Sequence, residues 1–338
     1  MLGSKDNDIS NTGNDKIDNS AKKEPKIGLA LGGGVARGFA HIGVIRALLR
    51  HGIKPTIVAG TSIGALVGGC YLAGKLDDLE EWGLSLSRLR VLSYLDLKVN
   101  SAGVIGGKKL QRLMKVRLGD DIDIEELPYP FATVATDLVT GHEVWITKGN
   151  LIEAMTASFS LPGLFPPVER NDRFLIDGAL VNPVPVSICQ AMGARMTIAV
   201  DLNADMIGKA TTPGEKVPRV AGYDLLDSDN GIPNKKQNLF KSIPMTKKLF
   251  ARSDKDHPSM FGVMVSTLNI VQDRLTRSRL AGDPPDVHIK PNVGHIGLME
   301  FDRAAELIKE GEAAVERILT EIIAAKNVLL PDNDKDEF

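Results

Sequence analysis

Between Lys26 and Gly74 the chain runs twice through one order of events: a short apolar run, a glycine-rich turn, then a segment of helical periodicity. "KIGLAL" leads through "GGGVARG" into "FAHIGVIRALLRHG", and "PTIVAG" leads through "TSIG" into "ALVGGCYLAG". Short apolar runs bounded by turn signals read as strands buried on both faces. Strands alternating with helices make a parallel sheet with helices on its faces, so the fold class reads as α/β. In the first helix Ile42, Ile45, Leu48 and Leu49 share a face, and Gly52 stands where a helix ends. In the second, Ala65, Gly68 and Gly69 allow close packing on the sheet. Later strand candidates are "FATVATDL", "HEVWIT", "RFLIDG", "MTIAVDL" and "PDVHIKP", and "FDRAAELIKEGEAAVERILTEIIAAKNVL" reads as one long amphipathic helix with Leu307, Val315, Ile318, Leu319 and Ile322 near one face.

Residues 1–25 are rich in Asn, Asp, Lys and Ser and cannot offset their own ordering entropy, so they read as a disordered tail. Residues 331–338 read as a charged, fraying end. From 205 to 260 turn formers and prolines interrupt the rhythm, which marks an inserted surface segment. Within it Leu239, Phe240, Ile243, Met245, Leu249 and Phe250 alternate with lysines. The stretch 235–252 therefore has two readings, a loop or a lid in peripheral contact with an anionic membrane.

A formal charge of −2 and a pI near 6.3 supply no basic face for nucleic acid. Cys70 and Cys189 sit in apolar runs without CxxC spacing or histidine neighbours, so neither a metal site nor a disulfide framework is expected. The N-terminus lacks the apolar stretch of a secretory signal, and no window reaches the roughly 18 apolar residues of a membrane span. The expectation is a cytoplasmic protein.

Gly60-Thr61-Ser62-Ile63-Gly64 matches GxSxG. In a chain with 33 glycines the match alone says little. Its position says more, because it falls where an apolar strand turns into a helix, the setting of a nucleophile elbow. There the flanking Gly60 and Gly64 avoid collisions with neighbouring backbone, and the serine hydroxyl lies at a helix N-terminus that favours developing negative charge. A nucleophilic serine also needs amide donors for an oxyanion. "LGGGVARG" supplies a loop for them at the end of the preceding strand: Gly33, Gly34 and Val35 are the candidate donors, with Gly32, Arg37 and Gly38 supporting the loop. A P-loop reading fails because Phe39 follows Gly38 where a lysine is required. A dinucleotide fingerprint starting at Gly32 fails because Arg37 stands at its third glycine.

The serine needs a base. Asp177 ends the apolar run of "RFLIDG" and precedes a glycine turn, which would bring its carboxylate out at the same sheet edge as Ser62; taken alone, Asp-Gly reads as a plain turn. His288 and His295 follow in the order of an α/β-hydrolase triad, so the residues themselves leave a histidine-dependent esterase open. His41 reads as packed on the first helix and His51 as serving the dipole at its end.

"ALGGGVARGFAHIGVIRAL", "VAGTSIGALVGGCYLAG", "TASFSLPGLFPPV" and "LIDGALVNPVPV", in this order, resemble the patatin-like phospholipases, and among them the bacterial branch related to neuropathy target esterase. The resemblance spans Lys26 to about Leu202, and "RLAGDPPDVHIKP" also looks like this branch. It implies a three-layer α/β/α fold around a mostly parallel sheet, here over residues 26–330. It also implies a Ser62–Asp177 dyad in place of a triad, the glycine loop as oxyanion hole, phospholipid or lysophospholipid esters as substrates, and no cofactor or metal. Two positions depart from the family pattern. Val35 replaces the middle glycine of GxGxxG, where a β-branched side chain narrows the available backbone conformations, and Ala179 replaces the last glycine of Asp-Gly-Gly. A different-class alternative is a catalytically silent protein that binds lipid or a partner on the same fold.

Overall fold

The structure, a computed structural model, describes residues 26–86, 114–116, 122–204 and 260–331. The expected tail at 1–25, the inserted segment over 205–259 with its 235–252 stretch, and the end beyond Pro331 lie outside the described residues. In chain order the elements are β1 (Ile27–Leu31), α1 (Ala40–Arg50), β2 (Ile57–Thr61), α2 (Ile63–Leu72), α3 (Leu76–Leu84), β3 (Phe131–Asp137), β4 (Glu143–Ile146) and α4 (Leu151–Ser158). There follow β5 (Val168–Arg170), β6 (Arg173–Asp177), α5 (Val186–Ala191), β7 (Met196–Val200), α6 (Met260–Gly282), β8 (Val287–Ile289), α7 (Ala304–Arg317) and α8 (Leu319–Leu329).

The strands make one eight-stranded mixed sheet in the order β5-β6-β3-β2-β1-β7-β8, with β4 paired to β3 off that path. The run β3-β2-β1-β7-β8 is parallel, while β4 and β6 lie antiparallel to β3. Period-two alternation divides the strand residues between two cores. Leu29, Leu31, Val58, Ile198 and Val200 enter the larger core with residues of α1, α2, α4, α7 and α8. Ala30, Ala59, Ala132 and Ala199 face the other way, toward Val186, Ile188 and Cys189 of α5. These four alanines stand in register across β3, β2, β1 and β7, a row of small side chains on which α5 lies close. Helices on both faces make the three-layer α/β/α architecture. Both cysteines are buried, and burial pushes their thiols well above the ordinary range, Cys189 to about 12.

In the outer layer α1 and α7 meet backbone to backbone. A Cβ on Gly43 would lie 1.9 Å from the Ile308 carbonyl oxygen, and one on Gly311 would lie 1.9 Å from that of Ala40.

Three expectations are corrected. Leu49 is 39% exposed, because the last turn of α1 emerges from the core beside exposed Arg50 and His51. Gly69 packs not on the sheet but on α4, where an added Cβ would meet Met155 Sδ at 2.5 Å; Gly68 does face the sheet, against Val58. The long C-terminal helix is two helices, broken at Ile318 (φ −122°, ψ 19°), so that Leu307, Ile308 and Val315 are buried on α7 and only Ile322 on α8. Gly52 ends α1 as expected, at φ 68°.

Candidate active site

β3 is longer than β2, and the site follows from that difference. β4 covers one edge of β3 from Thr133 to Thr136. On the other edge β2 pairs with Phe131–Val134 and then stops, with Thr61 opposite Val134; β6 takes over, with Asp177 opposite Ala135. Ser62 is the residue after Thr61, so the end of β2 and the end of β6 meet head on.

At that point Ser62 adopts φ 57° and ψ −125° as β2 turns into α2. The turn is tight enough that a Cβ on Gly60 would lie 2.5 Å from Ala65 backbone atoms, and one on Gly64 would lie 2.2 Å from the Leu31 carbonyl oxygen. The Ser62 hydroxyl donates to Asp177 Oδ2 at 2.6 Å. The other carboxylate oxygen, Oδ1, accepts from the Ala179 amide at 2.8 Å. Thr136 Oγ1 donates to the Asp177 carbonyl at 2.8 Å, and the Asp177 amide donates to the Ser160 carbonyl at 3.0 Å. Asp177 is 1% exposed and Ser62 6%. Burial pushes the Asp177 carboxyl up to about 6, against the lowering effect of the hydrogen bonds from Ser62 and Ala179. A carboxylate so placed titrates near neutrality, where a general base is most effective.

Sequence reasoning missed one support of the elbow. The Ser62 amide donates to Ser158 Oγ at 2.9 Å, and Ser158 is fully buried. Its signal was present, since Ser158 and Ser160 belong to the "TASFSLPG" block, but a serine 96 residues away carries no mark of its partner.

The glycine loop approaches the elbow: a Cβ on Gly33 would lie 3.6 Å from Ser62 Cβ. Its amides divide. Gly32 donates to Val200 O at 3.1 Å and Gly33 to Pro183 O at 3.0 Å, so the Gly33 amide, expected as an oxyanion donor, is already engaged. Among the described residues those of Gly34 and Val35 have no acceptor. Arg37 is buried and donates from Nε to Ile296 O at 2.8 Å. His41 was expected only to pack. Its Nε2–H donates to the Gly32 carbonyl at 2.8 Å, and burial lowers its pKa to about 4, so the ring is neutral.

Val35 occupies φ 51°, left-handed backbone that is a true outlier for a β-branched residue. Such a conformation costs about 1–3 kcal/mol. The side chain is only half-buried, which offsets roughly 1 kcal/mol. Stability alone therefore gives valine no advantage over glycine here.

The histidine alternatives lie elsewhere. His288 lies on β8, three strands from β2, with Nε2 3.5 Å from Asp201 Oδ2. His295 bonds Glu306 at 2.7 Å and is largely exposed. The group that accepts from the Ser62 hydroxyl is a carboxylate. Among the described residues no three His, Cys, Asp or Glu side chains gather into a metal site, and no helix is long and apolar enough to cross a membrane.

The family model of the patatin-like phospholipases matches residues 29–189, a span that includes Ser62, Asp177 and the glycine loop. An uncharacterized NTE family protein of Mycobacterium tuberculosis is 34% identical over 330 residues, covering 87% of this chain and 91% of that one. The chain belongs to the patatin-like phospholipase family, in its neuropathy target esterase (NTE) branch. Two longer NTE relatives match it over a small part of their own length. Neuropathy target esterase sws of Drosophila melanogaster is 33% identical over 59% of this chain and 14% of its own length. Lysophospholipase nte1 of Emericella nidulans is 27% identical over 92% and 19%. VipD of Legionella pneumophila aligns in structure with a TM-score of 0.35 and 15% identity over 46% of each chain, too loosely to argue from. Membership of the NTE branch makes this chain one of a family of lipid esterases and hydrolases.

Proposed function

We propose that this NTE-family protein is a serine acyl hydrolase that cleaves fatty acyl esters of phospholipids or lysophospholipids with Ser62 as nucleophile and Asp177 as its base. The observation that carries the reading is the 2.6 Å hydrogen bond from a left-handed elbow serine to a buried carboxylate. The Asp177 carboxylate takes the proton as Ser62 Oγ attacks the ester carbonyl carbon, and the negative charge on the carbonyl oxygen falls to the amides of Gly34 and Val35. Collapse of that intermediate breaks the bond to the alcohol, which leaves with the proton held by Asp177. Water then attacks the acyl-serine, gives its proton to Asp177, and the fatty acid departs as Ser62 recovers it. Loss of one oxyanion donor costs about 10²–10³ in rate in enzymes of this kind. The lipid class is supported by the family and by the fungal relative named a lysophospholipase.

Intact-mass analysis after exposure to a fluorophosphonate tests the reading. One adduct on the native protein, none on Ser62→Ala and much slower labelling of Asp177→Asn are expected. A folded native protein that takes no adduct, with or without lipid vesicles, would refute it in favour of a silent binding protein on the same fold.

A further inference from the structure

The mechanism engages the amide of Val35 and leaves its side chain without a role. That side chain packs against Leu161 and Leu164, a small apolar cluster with Leu268, Met299 and Phe165 around it, the last of which also packs against the larger core. The cluster adjoins the reacting groups through the chain itself: Ser158 accepts from the Ser62 amide and Ser160 from the Asp177 amide, and Leu161 comes next. Val35 stands two residues after Gly33, where an added Cβ would lie 3.6 Å from Ser62 Cβ. One residue thus combines an amide without an acceptor among the described residues and an apolar side chain packed on this cluster.

The amide nitrogen and Cβ of any residue are about 2.5 Å apart. An ester oxygen accepting from the Val35 amide therefore leaves the first carbons of the acyl chain within reach of the Val35 methyls when the chain runs toward Leu161, the direction we assign to it. On the Ser62–Asp177 reading, we infer that Val35 is a specificity-determining residue whose side chain walls the site beside the carbonyl. It selects acyl groups unbranched at C2 and leads the rest of the chain along Leu161 and Leu164. The left-handed valine fits this role, because glycine would hold the same backbone without strain and without a wall.

The full-length chain and its Val35→Gly, Val35→Ala and Val35→Ile variants are assayed on p-nitrophenyl octanoate and p-nitrophenyl 2-methyloctanoate. The readout is the ratio of kcat/KM, straight over branched, in which any general loss from a looser loop cancels. Discrimination by a single methyl group in an apolar site is worth about 10–200-fold. Val35→Gly is expected to lower the ratio about tenfold or more, Val35→Ala to fall between, and Val35→Ile to raise it. A ratio unchanged in Val35→Gly and Val35→Ala, with Ser62 still labelled by fluorophosphonate, overturns the inference and leaves the dyad standing. A native protein that is not labelled and cleaves neither ester brings down the dyad reading and this inference together. Where Val35→Gly fails to fold, Val35→Ala and Val35→Ile decide by the same ratio.

Discussion

Replacing Asp177 by asparagine should make the protein more stable as it makes it less active, and the gain should grow with pH. In the folded chain the Asp177 carboxyl ionises only near pH 6, because burial disfavours its charge; its ordinary value is 3.8. Folding therefore has to offset about 3 kcal/mol once the group is charged. Between those two values the folded state holds more protons than the unfolded one, so the contribution of Asp177 to stability is full below pH 3.8 and falls as pH rises through 6. Asparagine keeps the shape, can accept from the Ala179 amide, and never ionises. The stability difference, variant minus native, should rise by about 2 kcal/mol from about pH 4.5 to 8 and then stay level.

His41 should show the opposite slope. Its ring is held neutral, with the pKa lowered from 6.5 to about 4 by burial, so its contribution is full above pH 6.5 and is lost as pH falls through 4. The two effects, each about 2–3 kcal/mol over the same window, nearly cancel in the native chain. Urea unfolding followed by the fluorescence of Trp82 and Trp145 at half-unit pH steps gives the profiles for native, Asp177→Asn and His41→Gln. Glutamine retains a donor for the Gly32 carbonyl. Parallel profiles for native and Asp177→Asn across pH 4.5–8 would show that the carboxyl is not strained by burial, and the argument for its basicity would fail with it.

The same ionisation sets the activity profile: kcat/KM should drop about tenfold per pH unit below pH 6 and level off above pH 7, and an acid limb centred near 4 would contradict the raised Asp177. Ser158→Ala should destabilise the protein by about 1–3 kcal/mol, by leaving the buried Ser62 amide without its acceptor, and should slow fluorophosphonate labelling; unchanged labelling kinetics would show that the elbow does not need this bond. Gly311→Ala should lower the urea midpoint sharply, since overpacking costs about 1–3 kcal/mol and here the clash is with backbone. Gly282→Ala, with nothing within 4 Å of its added Cβ, should leave the midpoint unchanged or slightly raised. His288→Ala and His295→Ala should each keep ester hydrolysis within a few-fold of native, and abolition by either would restore a histidine base.

What could be read from the sequence is what depends on residues near one another along the chain. Strands β1, β2, β3 and β7, the elbow at Gly60–Gly64 and the helix end at Gly52 all carry local signatures. The pieces that escaped depend on partners far apart. Nothing near Gly33 announces that its amide is taken by Pro183, and neither proline nor glycine marks the break at Ile318. β5 escaped although its signal was local, for Asn171 and Asp172, at φ 50° and 59°, form the two-residue loop of a hairpin between β5 and β6.

That small hairpin bears on the chemistry more than its size suggests. Ser62 and Asp177 lie 115 positions apart and meet only because β6 pairs with the stretch of β3 that β2 leaves free. Side chains alternate along a strand, so a slip of β6 by one residue would turn Asp177 to the other face and place Ile176 opposite Ala135. Two contacts oppose the slip at the two ends of β6. At one end the β5 hairpin places Arg173 opposite Arg170; at the other Gly178 passes so close to Val134 that a Cβ there would lie 2.2 Å from its carbonyl oxygen. The distance from serine to carboxylate is thus set by strand register, which explains why a motif search finds Ser62 readily and leaves its base among several candidates.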